Sequence, residues 1–421
     1  MRQRKSRVQP ARDKLPSDRV FNLMQQPPSA GAAPPRLITV LALLWLAGAA
    51  IRIPLMAVPP VIPLIHDDLH MTYTQVGLLI GMPLVMFAVF ATPGALLIAR
   101  FGVVRIATAG LLLASLAAAA RAFVVDLWTL YAATMLMGMG VAIFQPALST
   151  LVRLWAPARV WLATAFSTNG MLIGSAFASA LTIPLMLPLV GGSWRLDFLA
   201  WSAPGFIAAL LYATVAPRQK NAEIAQNTAP RRWWPQWNSP QLWILGIALG
   251  ANNALFFAVN AFIPDYLTSM GRGDLIGPTL GWLNGTQLVG SFVMMAMPEK
   301  LQRRSWPFVI FGPVTTLGLL GIVLCDGIWI VISGALAGFG AAITFIVTFG
   351  LPASLSPPDD VPRMAGGMFT ISYTIAVIVP VICGACWDLT GLPWTSFLPM
   401  MACGIVMTVF GTILTMQKTS H

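Results

Sequence analysis

Arg52 falls near the middle of an apolar run that extends from residue 37 to residue 65. A charge at the centre of a bilayer costs about 2.5–3.5 kcal/mol on insertion scales, so an arginine facing lipid at that depth makes no sense. Its side chain is expected to face a water-filled cavity, where a planar guanidinium offers paired donors to an anion. No acidic side chain stands inside a span to neutralise it, which makes a bound anion its natural counter-charge. The alternative is structural: Arg52 would then only bond backbone carbonyls loosened by Pro54, Pro59, Pro60 and Pro63.

Neutral polar side chains accompany it at similar depth: Asn252, Asn253, Asn260, Asn284, Gln287, Gln145, Asn169 and Tyr373. Asn253 and Asn260 are seven apart and share a helix face. Amides in a membrane are costly unless hydrogen-bonded, so each either lines a cavity or bonds helix to helix. As a group they are expected to contribute cavity lining. Trp45, one heptad before Arg52, and Phe256 or Phe257 are candidate apolar walls, with plain packing as the competing role. The expected solute-binding set is Arg52, Asn253, Asn260, Gln145, Asn284, Gln287, Tyr373, Asn169, Trp45 and Phe257.

The elements that hold these residues follow from composition. The 421 residues are 57% hydrophobic and only 9% charged, against the quarter or so charged residues of a soluble domain, and mean hydropathy is +0.77. Runs long enough to cross a bilayer cover approximately 37–65, 74–99, 103–123, 127–152, 160–190, 196–216, 241–265, 277–298, 305–325, 327–350, 364–387 and 391–416. The expected fold is an all-α membrane protein of twelve transmembrane helices. Of 25 lysines and arginines, 21 fall on the side of the amino terminus, Arg121, Arg195 and Arg272 fall in loops on the other side, and Arg52 lies within a span. Lysine and arginine are retained on the cytoplasmic face, so the chain is expected in the cytoplasmic membrane with both termini on the cytoplasmic side. This asymmetry accounts for the net charge of +11 without nucleic acid.

The chain repeats itself. LMGMGVAI (136–143) resembles LAGFGAAI (336–343), and GLLIGMP (77–83) resembles GWLNGTQ (281–287). Two similar six-helix bundles, 37–216 and 241–416, are expected around a midplane site. Residues 217–240 read as a cytoplasmic linker, with basic tails at 1–36 and 417–421. Gly77/Gly81, Gly170/Gly174, Gly281/Gly285 and Gly334/Gly338 are small-residue pairs suited to close packing inside a monomer.

No enzyme is expected. His, Asp and Glu do not cluster at depth, no metal or other cofactor is implied, and Cys383 and Cys386 sit in an apolar run rather than an accessible redox site. No Walker motif is present. His66, Asp67, Asp68 and Asp265 gather at span ends, where solvated loop charge and a gating or proton-carrying role compete.

Three stretches resemble the major facilitator superfamily, and within it the cyanate and nitroimidazole permease branch: RIPLMAVPPVIPLI (52–65), GMGVAIFQPAL (138–148) and GANNALFFAVNAFIP (250–264). GGSWRL (191–196) is similar as well. Gln145 stands where that branch tends to have asparagine, and Asn252-Asn253 stand where it reads glutamine-serine. ALLIARFGVVR (95–105) keeps Arg100 and Gly102, with Arg105 beyond, from the superfamily's loop motif, but has Ala95 and Ala99 for its glycine and aspartate. The resemblance covers about 37–416 and implies the major facilitator fold. The expected function is a secondary or facilitative transporter of a small anionic or polar solute by alternating access, with or without a coupling proton. A multidrug or metabolite exporter of the same fold is the alternative.

Overall fold

The computed structural model describes residues 37–216, 235–297, 306–355 and 361–419. The tail 1–36, linker residues 217–234, and Lys300, Arg303 and Arg304 lie outside the described residues.

Twelve long helices follow one another: α1 (Leu37–Leu69), α2 (Tyr73–Phe101), α3 (Val103–Ala120), α4 (Leu127–Trp155), α5 (Val160–Leu181) and α6 (Trp194–Thr214), then α7 (Pro240–Ser269), α8 (Ile276–Ala296), α9 (Trp306–Leu324), α10 (Ile328–Leu355), α11 (Val361–Thr390) and α12 (Phe397–Thr419). Among the described residues, eleven are long and apolar enough to cross a membrane. The twelfth is the 21-residue α8, whose hydropathy is diluted by Thr279, Asn284, Thr286 and Gln287. Helix-only spans leave no backbone donor or acceptor bare in lipid. Hence the expected count of twelve holds.

Local chemistry marks the ends. Thr72 accepts from the Gln75 N–H and Gln75 answers with its own side chain to the Thr72 N–H, closing a capping box before α2. Asp126 and Thr129 do the same before α4. These bonds from Thr129 hold the exposed Asp126 carboxyl below the usual carboxylate range. Gly102 turns α2 into α3 by itself at φ +90°, a conformation that side-chain-bearing residues rarely adopt. The last span differs from expectation: Pro393–Ser396 form a 3₁₀ turn after Gly391, and α12 then continues to Thr419, through the start of the expected tail.

The two halves repeat each other's packing. The α1–α5 pair is mirrored by α7–α11, α2–α4 by α8–α10, α3–α4 by α9–α10, and α3–α6 by α9–α12. Small residues permit it. Gly138 lies on the Pro83 backbone of α2, and its repeat partner Gly338 lies on the Leu283 backbone of α8. Gly170 abuts the Trp45 carbonyl, and Gly174 the Ala49 backbone. A Gly170→Val substitution is expected to push α5 off α1 and lower thermal stability by about 1–3 kcal/mol, the usual cost of overpacking. Tryptophan-fluorescence melting of the detergent-purified chain measures it.

Candidate functional site

The two halves meet where α1 ends and α2 begins. There α2 lies along α11, with Gly77 against the Pro380 carbonyl and Gly384 against the Tyr73 backbone. Tyr73 stacks on Trp387 at 3.7 Å, and Asp388 accepts from the Tyr73 and Thr74 N–H groups at 3.0 and 2.8 Å. A carboxylate at a helix amino terminus also gains from the helix dipole. On the opposite flank α5 meets α8, where Gly281 faces Ala180 and the Asn284 amide donates to Ser179 at 3.2 Å. Between these flanks, His66 of α1 and Asp265 of α7 lie 3.0 Å apart. One turn beyond Gly281, a Cβ at Gly285 would meet open space, as would one at Gly366 in the first turns of α11. The close approach therefore belongs to one end of the molecule.

Arg52 stands midway along the 33-residue α1. It is partly exposed, and among the described residues no protein hydrogen bond or ion pair engages its guanidinium. The Tyr373 hydroxyl lies within its electrostatic range, and the Gln145 amide acts on that hydroxyl in turn. Three expected site residues thus come together from α1, α4 and α11, spanning both halves. Phe87 packs edge-on to Tyr373 at 5.7 Å, and Phe369 stacks on it at 6.0 Å. Neither aromatic was among the sequence candidates.

The remaining candidates divide into groups. Trp45 donates its indole N–H to Asn169 at 3.0 Å, which ties α1 to α5 beside an apolar cleft of about 600 Å³ lined by Ile38, Leu41, Ala42, Leu46 and Phe166. Asn253 donates to Ser372 at 2.9 Å and stays partly exposed. Its neighbour Asn252 turns the other way and is consumed by Ala341 and Thr344 of α10. Asn260 and Asn284 bond each other at 2.8 Å, Gln287 adds a donor to Asn284 at 3.2 Å, and both asparagines are fully buried. They close the α7–α8 corner, where Asn260 and Phe257 also line a small cavity of about 20 Å³. Phe257 is buried edge-on to Phe256, away from the Arg52 group as far as its contacts show. Arg100 rests over the Phe101 ring at 5.3 Å, and Arg105 is exposed.

Two sequence expectations need correction. Arg121, expected in a loop, is buried at the end of α3, and Asp197 in the first turn of α6 is buried with it. Arg121 donates to the Pro54 carbonyl at 3.0 Å, lies over the Phe198 ring at 4.3 Å, and is within electrostatic range of Asp197. The loosened α1 carbonyls are served by Arg121, and by Ser179, whose hydroxyl reaches the Met56 carbonyl at 3.5 Å; Arg52 does not serve them. Asp265 is likewise no solvated loop charge, being 5% exposed.

The family model of the Major Facilitator Superfamily matches residues 44–298. The chain belongs to the Major Facilitator Superfamily. It is 26% identical to the 2-nitroimidazole transporter of Escherichia coli over 89% of this chain and 95% of that one. Identity to the cyanate transport protein CynX of Escherichia coli is 22%, over 84% and 91%. The uncharacterized transporter YycB of Bacillus subtilis is 25% identical over 83% and 87%. Among solved structures, a bacterial homolog of the human lysosomal transporter Spinster, inward-facing and occupied, superposes with a TM-score of 0.71 at 14% identity, covering 93% of this chain and 98% of that one. A D-xylose-proton symporter gives 0.72 at 12%, covering 90% and 96%. At these identities the solved structures establish the fold alone. This member of the superfamily is a multi-pass membrane transporter of small solutes and not an enzyme.

Neither oxygen of the buried Asp197 has a hydrogen-bond partner, so in this superfamily fold Arg121→Met should remove the cation acting on it from a distance and strip the Pro54 carbonyl. The expected loss is about 1–3 kcal/mol, the usual cost of leaving a buried polar group without its partner. Asp197→Leu added to Arg121→Met should restore part of it in the same melting assay; a double variant no more stable than the single one contradicts an electrostatic hold of Arg121 on Asp197.

Proposed function

We propose that this chain carries a small anion, or a small polar solute, across the cytoplasmic membrane by alternating access, with Arg52 holding the solute. The observation that carries this reading is the free guanidinium at midspan, beside Tyr373 and Gln145 at the seam between halves. A cation at that depth with no protein partner calls for a charged or strongly polar guest. Asn253, Gln287, Asn169 and Trp45 extend the polar wall, while Asn260, Asn284 and Phe257 join it as the halves move. Cyanate, in one relative's name, is a small anion, and 2-nitroimidazole, in another's, a small polar ring; both suit paired N–H donors.

Residues 37–216 and 241–416 act as the two rocking bundles of a monomer, joined by the cytoplasmic linker 217–240, with both termini inside. The joined end is then the outer one, and the conformation described here opens inward. Arg100, Gly102 and Arg105 hold the inner α2–α3 turn. The apolar cleft beside Trp45 favours a second reading, export of a larger apolar compound.

Uptake into proteoliposomes of cyanate, nitrite and short carboxylates tests the choice. Wild type should show saturable anion uptake, and Arg52→Gln should lose it by about tenfold or more, since hydrogen bonds to charged groups are worth about 1.5–3 kcal/mol. Arg52→Lys keeps the charge, loses the fork, and should fall between. Wild-type rates in Arg52→Gln, or movement of apolar compounds alone, reject the anion reading.

A further inference from the structure

The His66–Asp265 contact is the one place where titratable side chains of the two halves touch directly among the described residues. It lies between the last turns of α1 and α7, with Nδ1 of the imidazole 3.0 Å from a carboxylate oxygen. Asp265 is buried and His66 is four-fifths covered. The Tyr73 ring stands edge-on to the imidazole, its centroid 4.7 Å away, and Tyr73 itself is clamped to Trp387. Further charge around the site is acidic: Asp67 on α1 and Asp388 on α11 both act on the imidazole. Arg195 of α6 is taken up by Asp68 at 2.6 Å, and Tyr266 turns away to the Val323 carbonyl. His70, four residues on, is exposed at the left-handed end of α1.

We propose that His66 and Asp265 form a proton-binding site, and that the bound proton latches the two halves of this carrier together at this end. The inference rests on the alternating-access reading above. An imidazolium between three carboxylates attracts Asp265 both as donor and as charge, and burial magnifies that attraction. A neutral imidazole keeps at most the hydrogen bond. When the halves part at this end, Nδ1–H and Asp265 separate into water and the imidazolium releases its proton there, leaving neutral His66 and an ionised Asp265. Closure at this end takes the proton up again. The sign follows: the closed end is favoured at low pH and lost as pH rises through the imidazole range.

Distance measurement between spin labels tests this without any solute, so the fate of the anion reading does not bear on the outcome. One label goes on the exposed native Cys325 of the second half and the other on Val125→Cys of the first, both at this end of the full-length protein. From about pH 5 to about pH 8, the window in which histidine changes charge, the longer-distance fraction should grow in wild type and equally in His70→Gln. His66→Gln retains a hydrogen-bonding group without the charge and should abolish the pH response. Asp265→Asn should also abolish it, and serves if His66→Gln does not fold. An undiminished pH response in both variants, or none in wild type despite two populated distances, overturns the proton site. A single distance at every pH overturns alternating access along with it.

Discussion

Backbone groups inside a bilayer have no water to turn to, and α1 is the helix where this constraint bites hardest. Pro54, Pro59, Pro60 and Pro63 each remove a donor, and the helix breaks at Ala57. The carbonyl of Met56 is one that Pro60 cannot reach, and Ser179 of α5 donates to it. Beside the break, the Pro54 carbonyl takes the Arg121 guanidinium from the end of α3. These two donors fix the broken helix to its own half. Arg52, two residues before Pro54, is thereby freed from backbone duty. A continuous α1 would need neither donor and would leave Arg121 and Asp197 without a reason to be buried.

That division of labour shapes the rest. The amino-terminal part of α1 is pinned by close contact with α5, through Gly170, Gly174 and the Trp45–Asn169 bond. Its terminal turns instead reach across to α7 through His66. The tightest contacts joining the halves lie on this second side of the break: the start of the α2–α11 seam, the Ser179–Asn284 bond and the ion pair. Polar contacts stand there beside the close approaches of Gly77 and Gly384, and these are contacts that can be exchanged for water. Within each half, glycine contacts of backbone on backbone run along the helices and are joined by bonds such as Trp45–Asn169 and Asn252–Thr344. Rigid halves and a releasable seam are what a rocking mechanism requires.

Much of this architecture is legible in the sequence because lipid permits few solutions. Twelve apolar runs, the matched segments around Gly138 and Gly338, and three of the four small-residue pairs translate directly into helices and contacts, while Gly285 of the remaining pair faces open space. Arg52, Gln145 and Tyr373 are visible as polar residues at depth, and they do meet. Their meeting depends on how the halves pack, which no spacing along one helix states. Arg121 and Asp197 escape because both stand at run ends, where charge is ordinarily solvated; the proline cluster was the available signal that some donor must be buried nearby. Asn260 and Asn284 read as solute contacts for the same reason that they bond each other, since any amide at depth needs a partner.

Whether Arg52 seats an anion is decided by ligand-induced stabilisation of the purified chain. A ligand at 100 times its dissociation constant raises stability by about 2.7 kcal/mol. Melting wild type and Arg52→Gln in matched salts of chloride, cyanate, nitrite and short carboxylates should show a saturable shift for at least one anion in wild type and none in the variant. Equal shifts in both proteins, or a shift with neutral solutes only, would contradict the account.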